Sequence, residues 1–123
     1  MTATQPREVM LLEECDDLRE VLCEVLGARG YHVLAYGSLA EALRAPAQAL
    51  HAILVAVNGY FGPPQEHLGA AIAQWQSRHV PVLALVSGDR PVHVEGVAAS
   101  LRKPVDEERL CSALERCAGC RLD

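Results

Sequence analysis

Short runs of consecutive apolar residues alternate along this chain with stretches whose apolar positions return every three or four residues. Val9-Met10-Leu11-Leu12 is the first run, and an unbroken apolar run suits a strand buried on both faces. It ends in Glu13-Glu14-Cys15-Asp16-Asp17, after which Leu18, Val21, Leu22, Val25 and Leu26 share one stripe of a helix. Acids in the first turn favour that helix through its dipole, and Gly27 or Gly30 is the expected stop. Tyr31 to Tyr36 reads as the second strand. Ser38 with Glu41 has the capping-box spacing and opens a short helix that Pro46 ends.

The second half repeats the alternation. His51 to Val57 is a buried-strand run, and Leu68, Ala71, Ile72 and Trp75 mark a third helix. Val80 to Val86 is again nearly all apolar, with Pro81 tolerable near its beginning. Ser87 to Pro91 is a loop, and residues 92–97 show no helical stripe. Ala98 to Arg102 is the last expected strand. After Lys103-Pro104, Asp106 caps a final helix through Leu110, Leu114 and Cys117, with Gly119 as its stop. Strands and helices alternating in this way predict an α/β fold, a doubly wound five-stranded parallel sheet. Ligands of such sheets sit at the carboxyl ends of the strands, where the sequence places Glu13, Glu14, Asn58, Ser87 and Lys103.

Composition narrows the function classes. The 123 residues are 50% hydrophobic and 22% charged, enough for one domain with its own core. That domain is expected over residues 7–118, between a flexible segment 1–6 and a tail 119–123. A net charge of −5 with the 11 Lys and Arg scattered argues against direct nucleic-acid binding. No apolar run approaches the roughly 20 residues of a membrane span, and no targeting segment is read at the start. Five cysteines without a secretion signal point to reduced thiols and a cytoplasmic protein.

Cys117-Ala118-Gly119-Cys120 closes a helix, where the dipole acts against a reactive thiolate, and no second pair stands near it for zinc. The five histidines are dispersed. Trp75 belongs to a core stripe. No metal, cofactor or catalytic group is expected from these residues.

Two motifs, in order and at the right separation, carry a resemblance. Glu13-Glu14 leads into Asp17-Leu18-Arg19-Glu20-Val21-Leu22, and Lys103-Pro104 precedes Val105-Asp106-Glu107-Glu108-Arg109-Leu110. The chain from Arg7 to Cys117 resembles the response-regulator receiver domain, which implies a flavodoxin-like sheet of order 2-1-3-4-5. The departures from that pattern carry the functional expectation. The family's phosphoacceptor aspartate falls on Ala56, and residues 51–61 contain no Asp or Glu. Its hydroxyl residue falls on Val86, with Ser87 one place later, and its switch aromatic falls on Ser100. The interval from Ser87 to Lys103 is short, which implies a shortened or irregular fourth helix.

The resemblance implies a vestigial phosphorylation crevice of Glu13, Glu14, Ala56, Val86, Ser87 and Lys103, with the acidic pair compensating the lysine. The expected function is a phosphorylation-independent pseudo-receiver, not an enzyme, binding a protein partner in bacterial signal transduction or transcriptional regulation. Val92, Val94, Val97 and Ser100 form the expected interaction surface, with a symmetric homodimer as the commonest arrangement of such a strip. The alternatives are phosphoryl acceptance at a non-standard residue, or a small-ligand sensor built on the altered crevice.

Overall fold

Each apolar run is a strand and each periodic stretch a helix. The computed structural model describes residues 7–44, 50–58, 65–87, 94, 96–103 and 106–121. Its elements are β1 (Arg7–Leu12), α1 (Asp16–Ala28), β2 (Tyr31–Tyr36), α2 (Leu39–Arg44), β3 (Ala52–Asn58), α3 (Gln65–Ser77), β4 (Val82–Ser87), β5 (Ala99–Arg102) and α4 (Glu107–Arg121). All strand pairs are parallel, in the order β2-β1-β3-β4-β5. The chain leaves β1 for one edge and returns past it to β3, so the switch point lies between the ends of β1 and β3.

Alternate residues of each strand face opposite sides of the sheet, which divides the core in two. Val9, Leu11, Leu54, Leu83 and Leu85 pack with Leu26 of α1 and with Leu110 and Leu114 of α4. Met10, Leu12, Ile53, Val55 and Val57 pack on the other side with Ala42 of α2 and with Leu68, Ile72 and Trp75 of α3. Removing each such side chain from water contributes about 1.5–3 kcal/mol.

The helix ends follow local chemistry. After α1 the backbone turns at Gly30, whose φ of +92° is a region glycine enters without a Cβ clash. The Ser38 hydroxyl accepts from the Glu41 N–H at 3.2 Å and donates to the Glu41 carboxylate at 3.2 Å. Asp106 caps α4 by accepting from the Arg109 N–H at 2.7 Å. The expected stop at Gly119 is corrected, because α4 continues through it to Arg121. A single glycine costs a helix only about 1 kcal/mol and does not end one by itself.

Among the described residues no helix joins β4 to β5. The described part of that connection lies against α3. The Gln76 amide donates to the Gly96 carbonyl, and Gly96 adopts φ +85° with Ile72 and Gln76 close to where a Cβ would stand.

Candidate functional site

Period two explains which side chains meet at the carboxyl end of the sheet. Extending the alternation from Val9 and Leu11 brings Glu13 to the α1/α4 face, and from Leu54 it brings Ala56 there. Leu83 and Leu85 lead likewise to Ser87, and Ala99 and Leu101 to Lys103. The strand register supports the convergence, pairing Asn58 with Ser87 and Val86 with Arg102. Together with Glu14, Cys15 and Leu18 these residues line a crevice of about 390 Å³.

Glu13 is its electrostatic centre. At 5% exposure it is the one buried charged residue among those described. Lys103 Nζ donates to Glu13 Oε1 at 2.5 Å, and the Cys15 N–H donates to Glu13 Oε2 at 3.2 Å. The Glu13 N–H bonds the Tyr36 carbonyl at 3.1 Å, and Arg19 Nη1 donates to the Glu13 carbonyl at 2.9 Å. Arg19 also pairs with Asp16 at 2.5 Å. The residue between strand and helix is thereby held at backbone and side chain together. The Lys103 N–H is bonded in turn to the Val86 carbonyl at 2.8 Å, which fixes the start of the lysine side chain.

The acidic pair is divided in its roles. Glu13 turns inward to the lysine, while Glu14 is exposed at the rim. Ala56 contributes a methyl group to the crevice wall. The receiver resemblance implies Mg²⁺ at this end of the sheet, and the side-chain donors present do not fit that ion. Mg²⁺ binds through near-octahedral oxygen ligation, whereas one crevice carboxylate is committed to Lys103 and position 56 has no side-chain oxygen. Among the described residues no group of three His, Cys, Asp or Glu side chains could hold a metal ion.

Two expectations about site residues change. Val86 is not part of the crevice: its parity is that of Val82 and Ala84, and it is buried on the α2/α3 side. Ser87 faces the crevice from an unbroken ladder. Val94 is only 6% exposed and packs into the α2/α3-side core, with Val97 packed partly buried against it. The described residues of this connection lie against α3, so these two valines offer no exposed strip. Ser100 is exposed on the sheet face opposite Lys103, Val92 lies outside the described residues, and the side chains of Cys117 and Cys120 are likewise not described.

Cys15, Leu18 and Arg19 were not expected at the site. Leu18 carried the signal of a core stripe, which hid its position beside the crevice; Cys15 and Arg19 carried none. The other described thiols lie away from the crevice. Burial pushes the Cys23 and Cys111 thiols up from their ordinary value, against a smaller opposing effect of Arg19 on the first and Arg29 on the second.

No protein-family model and no curated protein matches the sequence. Solved structures do match the fold. The signal receiver domain of a signal transduction histidine kinase from Syntrophus aciditrophicus aligns with TM-score 0.78 and 22% identity, over 94% of this chain and 92% of that one. The signal receiver domain of an HD domain-containing protein from Pseudomonas fluorescens Pf-5 aligns at 0.77 and 19%, over 98% and 92%. A response regulator receiver domain protein from Clostridium thermocellum aligns at 0.75 and 18%, over 94% and 96%. The chain has the five-stranded, flavodoxin-like fold of response-regulator receiver domains.

Proposed function

We propose that this protein is a pseudo-receiver: an interaction module of bacterial signal transduction or transcriptional regulation that works in the cytoplasm without being phosphorylated. The observation that carries the reading is Ala56, at the crevice-facing position of β3 where the receiver resemblance calls for the acceptor aspartate. Acyl-phosphate formation needs a carboxylate oxygen as nucleophile. A methyl group supplies none, and β3 carries no Asp or Glu. Glu13, the buried carboxylate nearby, is already bound to a cation and a backbone donor. With the crevice satisfied internally, the protein acts by presenting a fixed surface to a protein partner, and its control lies in abundance and partner binding.

The test is incubation with acetyl phosphate or phosphoramidate and Mg²⁺, followed by intact mass. The expected spectrum is unchanged. A gain of one phosphoryl group that hydroxylamine removes would overturn the reading and favour acceptance at a non-standard carboxylate. The volume of the crevice supports a second reading, a small-ligand sensor. Thermal-shift screening tests it, because a ligand bound only by the folded state raises Tm.

A further inference from the structure

We infer that a protein partner meets this module at the outer edge of β2, where an extended, uncharged segment of the partner adds a strand to the sheet. The inference rests on the interaction-module reading and gives that reading a place and a chemistry.

β2 is an outer strand of the sheet, paired with β1 on one side. One hydrogen bond tells which of its backbone groups face outward. The Glu13 N–H donates to the Tyr36 carbonyl, so Tyr36 turns its backbone groups toward β1. Successive residues of a parallel strand turn those groups to opposite sides. His32 and Leu34 therefore also face β1, while Tyr31, Val33 and Ala35 each turn an N–H and a C=O away from it. Among the described residues no strand pairs with that outer row. Such a row is a template for a further chain.

The two edges of the sheet differ in how they treat that hazard. β5 has four residues, and Ser100 and the cationic Arg102 are exposed on it. A short strand that carries charge discourages pairing with a foreign chain. β2 has six residues, Tyr31-His32-Val33-Leu34-Ala35-Tyr36, with no Lys, Arg, Asp, Glu or Pro among them. His32 is its one exposed side chain, and residues 33–36 are half-buried. Leu34 and Tyr36 are only partly covered on the α2/α3 side, and α2, which packs on β1 and β2, carries Leu43 at 42% exposure. The backbone row thus runs beside an apolar shoulder. A strand added to the edge covers both at once.

Geometry selects the occupant. A helix cannot satisfy the row, because its own N–H and C=O groups are bonded within it. A second copy pairing β2 with β2 about a twofold axis would bring its α1 to the same face of the sheet. α1 lies over β2, with Leu22 and Cys23 in the same partly buried layer as Val33 and Ala35. Paired strands stand about 4.8 Å apart, whereas packed helices need about 8–10 Å. An extended segment brings no helix with it. Its alternate side chains reach Leu34 and Tyr36, and β-branched or aromatic residues fit that half-buried surface.

The experiment uses isotope-labelled full chain and a short end-blocked peptide alternating threonine and valine. A second version of the peptide is N-methylated at every residue, which keeps the side chains and removes the donors. The parent peptide is expected to shift amide resonances of residues 31–36 and to slow hydrogen exchange of the Val33 and Ala35 amides at least about tenfold. The N-methylated peptide is expected to do neither. Val33→Pro removes an outward N–H, which an edge strand tolerates; it is expected to keep the fold by circular dichroism and to abolish the protection of Ala35.

Equal shifts from the two peptides overturn the inference, since they would report side-chain contact without strand pairing. Shifts that leave the Val33 and Ala35 amides unprotected, or no shifts at all, overturn it too. A wild-type dimer in sedimentation with those amides protected before any peptide is added also overturns it, in favour of a second copy. These failures are distinct from failure of the pseudo-receiver reading, which is decided by the phosphoryl mass gain whatever the peptides do.

Discussion

Replacing Lys103 with methionine isolates the worth of the ion pair that holds the crevice. The Lys103 and Glu13 side chains are 16% and 6% exposed, so the pair is neither a surface contact nor a dry interior one. Exposed pairs contribute at most about 1 kcal/mol. Removing one partner of a buried pair costs about 3–5 kcal/mol, because the other charge is left without compensation. In the variant Glu13 keeps one hydrogen bond, from the Cys15 N–H.

The expected destabilisation lies between these limits, at about 2–3 kcal/mol. Trp75 is the sole tryptophan and is buried on the opposite face of the sheet. Its fluorescence in a urea titration thus reports global unfolding without sitting beside the mutation. Combining Lys103→Met with Glu13→Gln removes the stranded charge and is expected to recover part of the loss. A deficit below about 0.5 kcal/mol would refute this account of the pair.

Two further outcomes are expected. Alkylation of the native protein, followed at peptide level, modifies exposed Cys15 first, half-buried Cys23 more slowly and buried Cys111 last, since burial both hides a thiol and disfavours its thiolate; equal rates at the three would contradict the described burial. Asp106→Ala lowers stability by about 1 kcal/mol through loss of the α4 cap while Asp106→Asn keeps most of it; an unchanged urea midpoint for the alanine variant would show that the cap contributes nothing.

Much of the fold was legible because it depends on periodicities that single residues report. Val9 to Leu12, His51 to Val57 and Val80 to Val86 announce strands buried on both faces, and observed strands occupy those stretches within two residues at their ends. Leu68, Ala71, Ile72 and Trp75 are all buried, as their spacing requires. Strand order came through the two motifs carrying the receiver resemblance, since periodicity does not say which strands are neighbours. Glu13, Ala56, Ser87 and Lys103, named from the sequence, line one crevice, whereas strand parity puts Val86 on the other face of the sheet.

The burial of Val94 and Val97 was not legible for a related reason. They have no helical spacing, and residues without a stripe read as exposed. Gly96 at φ +85° and the Gln76 bond to its carbonyl hold the described residues against α3. Leu18 and Val21 sit on an apolar stripe broader than the sheet can cover, and a stripe by itself does not reveal its uncovered edge.

The crevice and the start of α1 are connected through Glu13. Its carboxylate takes Lys103 from the end of β5 and the N–H of Cys15 at the start of α1, while its carbonyl takes Arg19 from the first turns of that helix. A receiver that switches needs two arrangements of such groups, close enough in free energy for a modification to choose between them. For Lys103 the second arrangement would require a competing anion across the crevice, and β3 offers alanine there. Under the proposed function, Lys103 stays committed to Glu13 and Glu13 to the orientation of α1, and the absence of a carboxylate at Ala56 leaves the crevice with one arrangement of these groups.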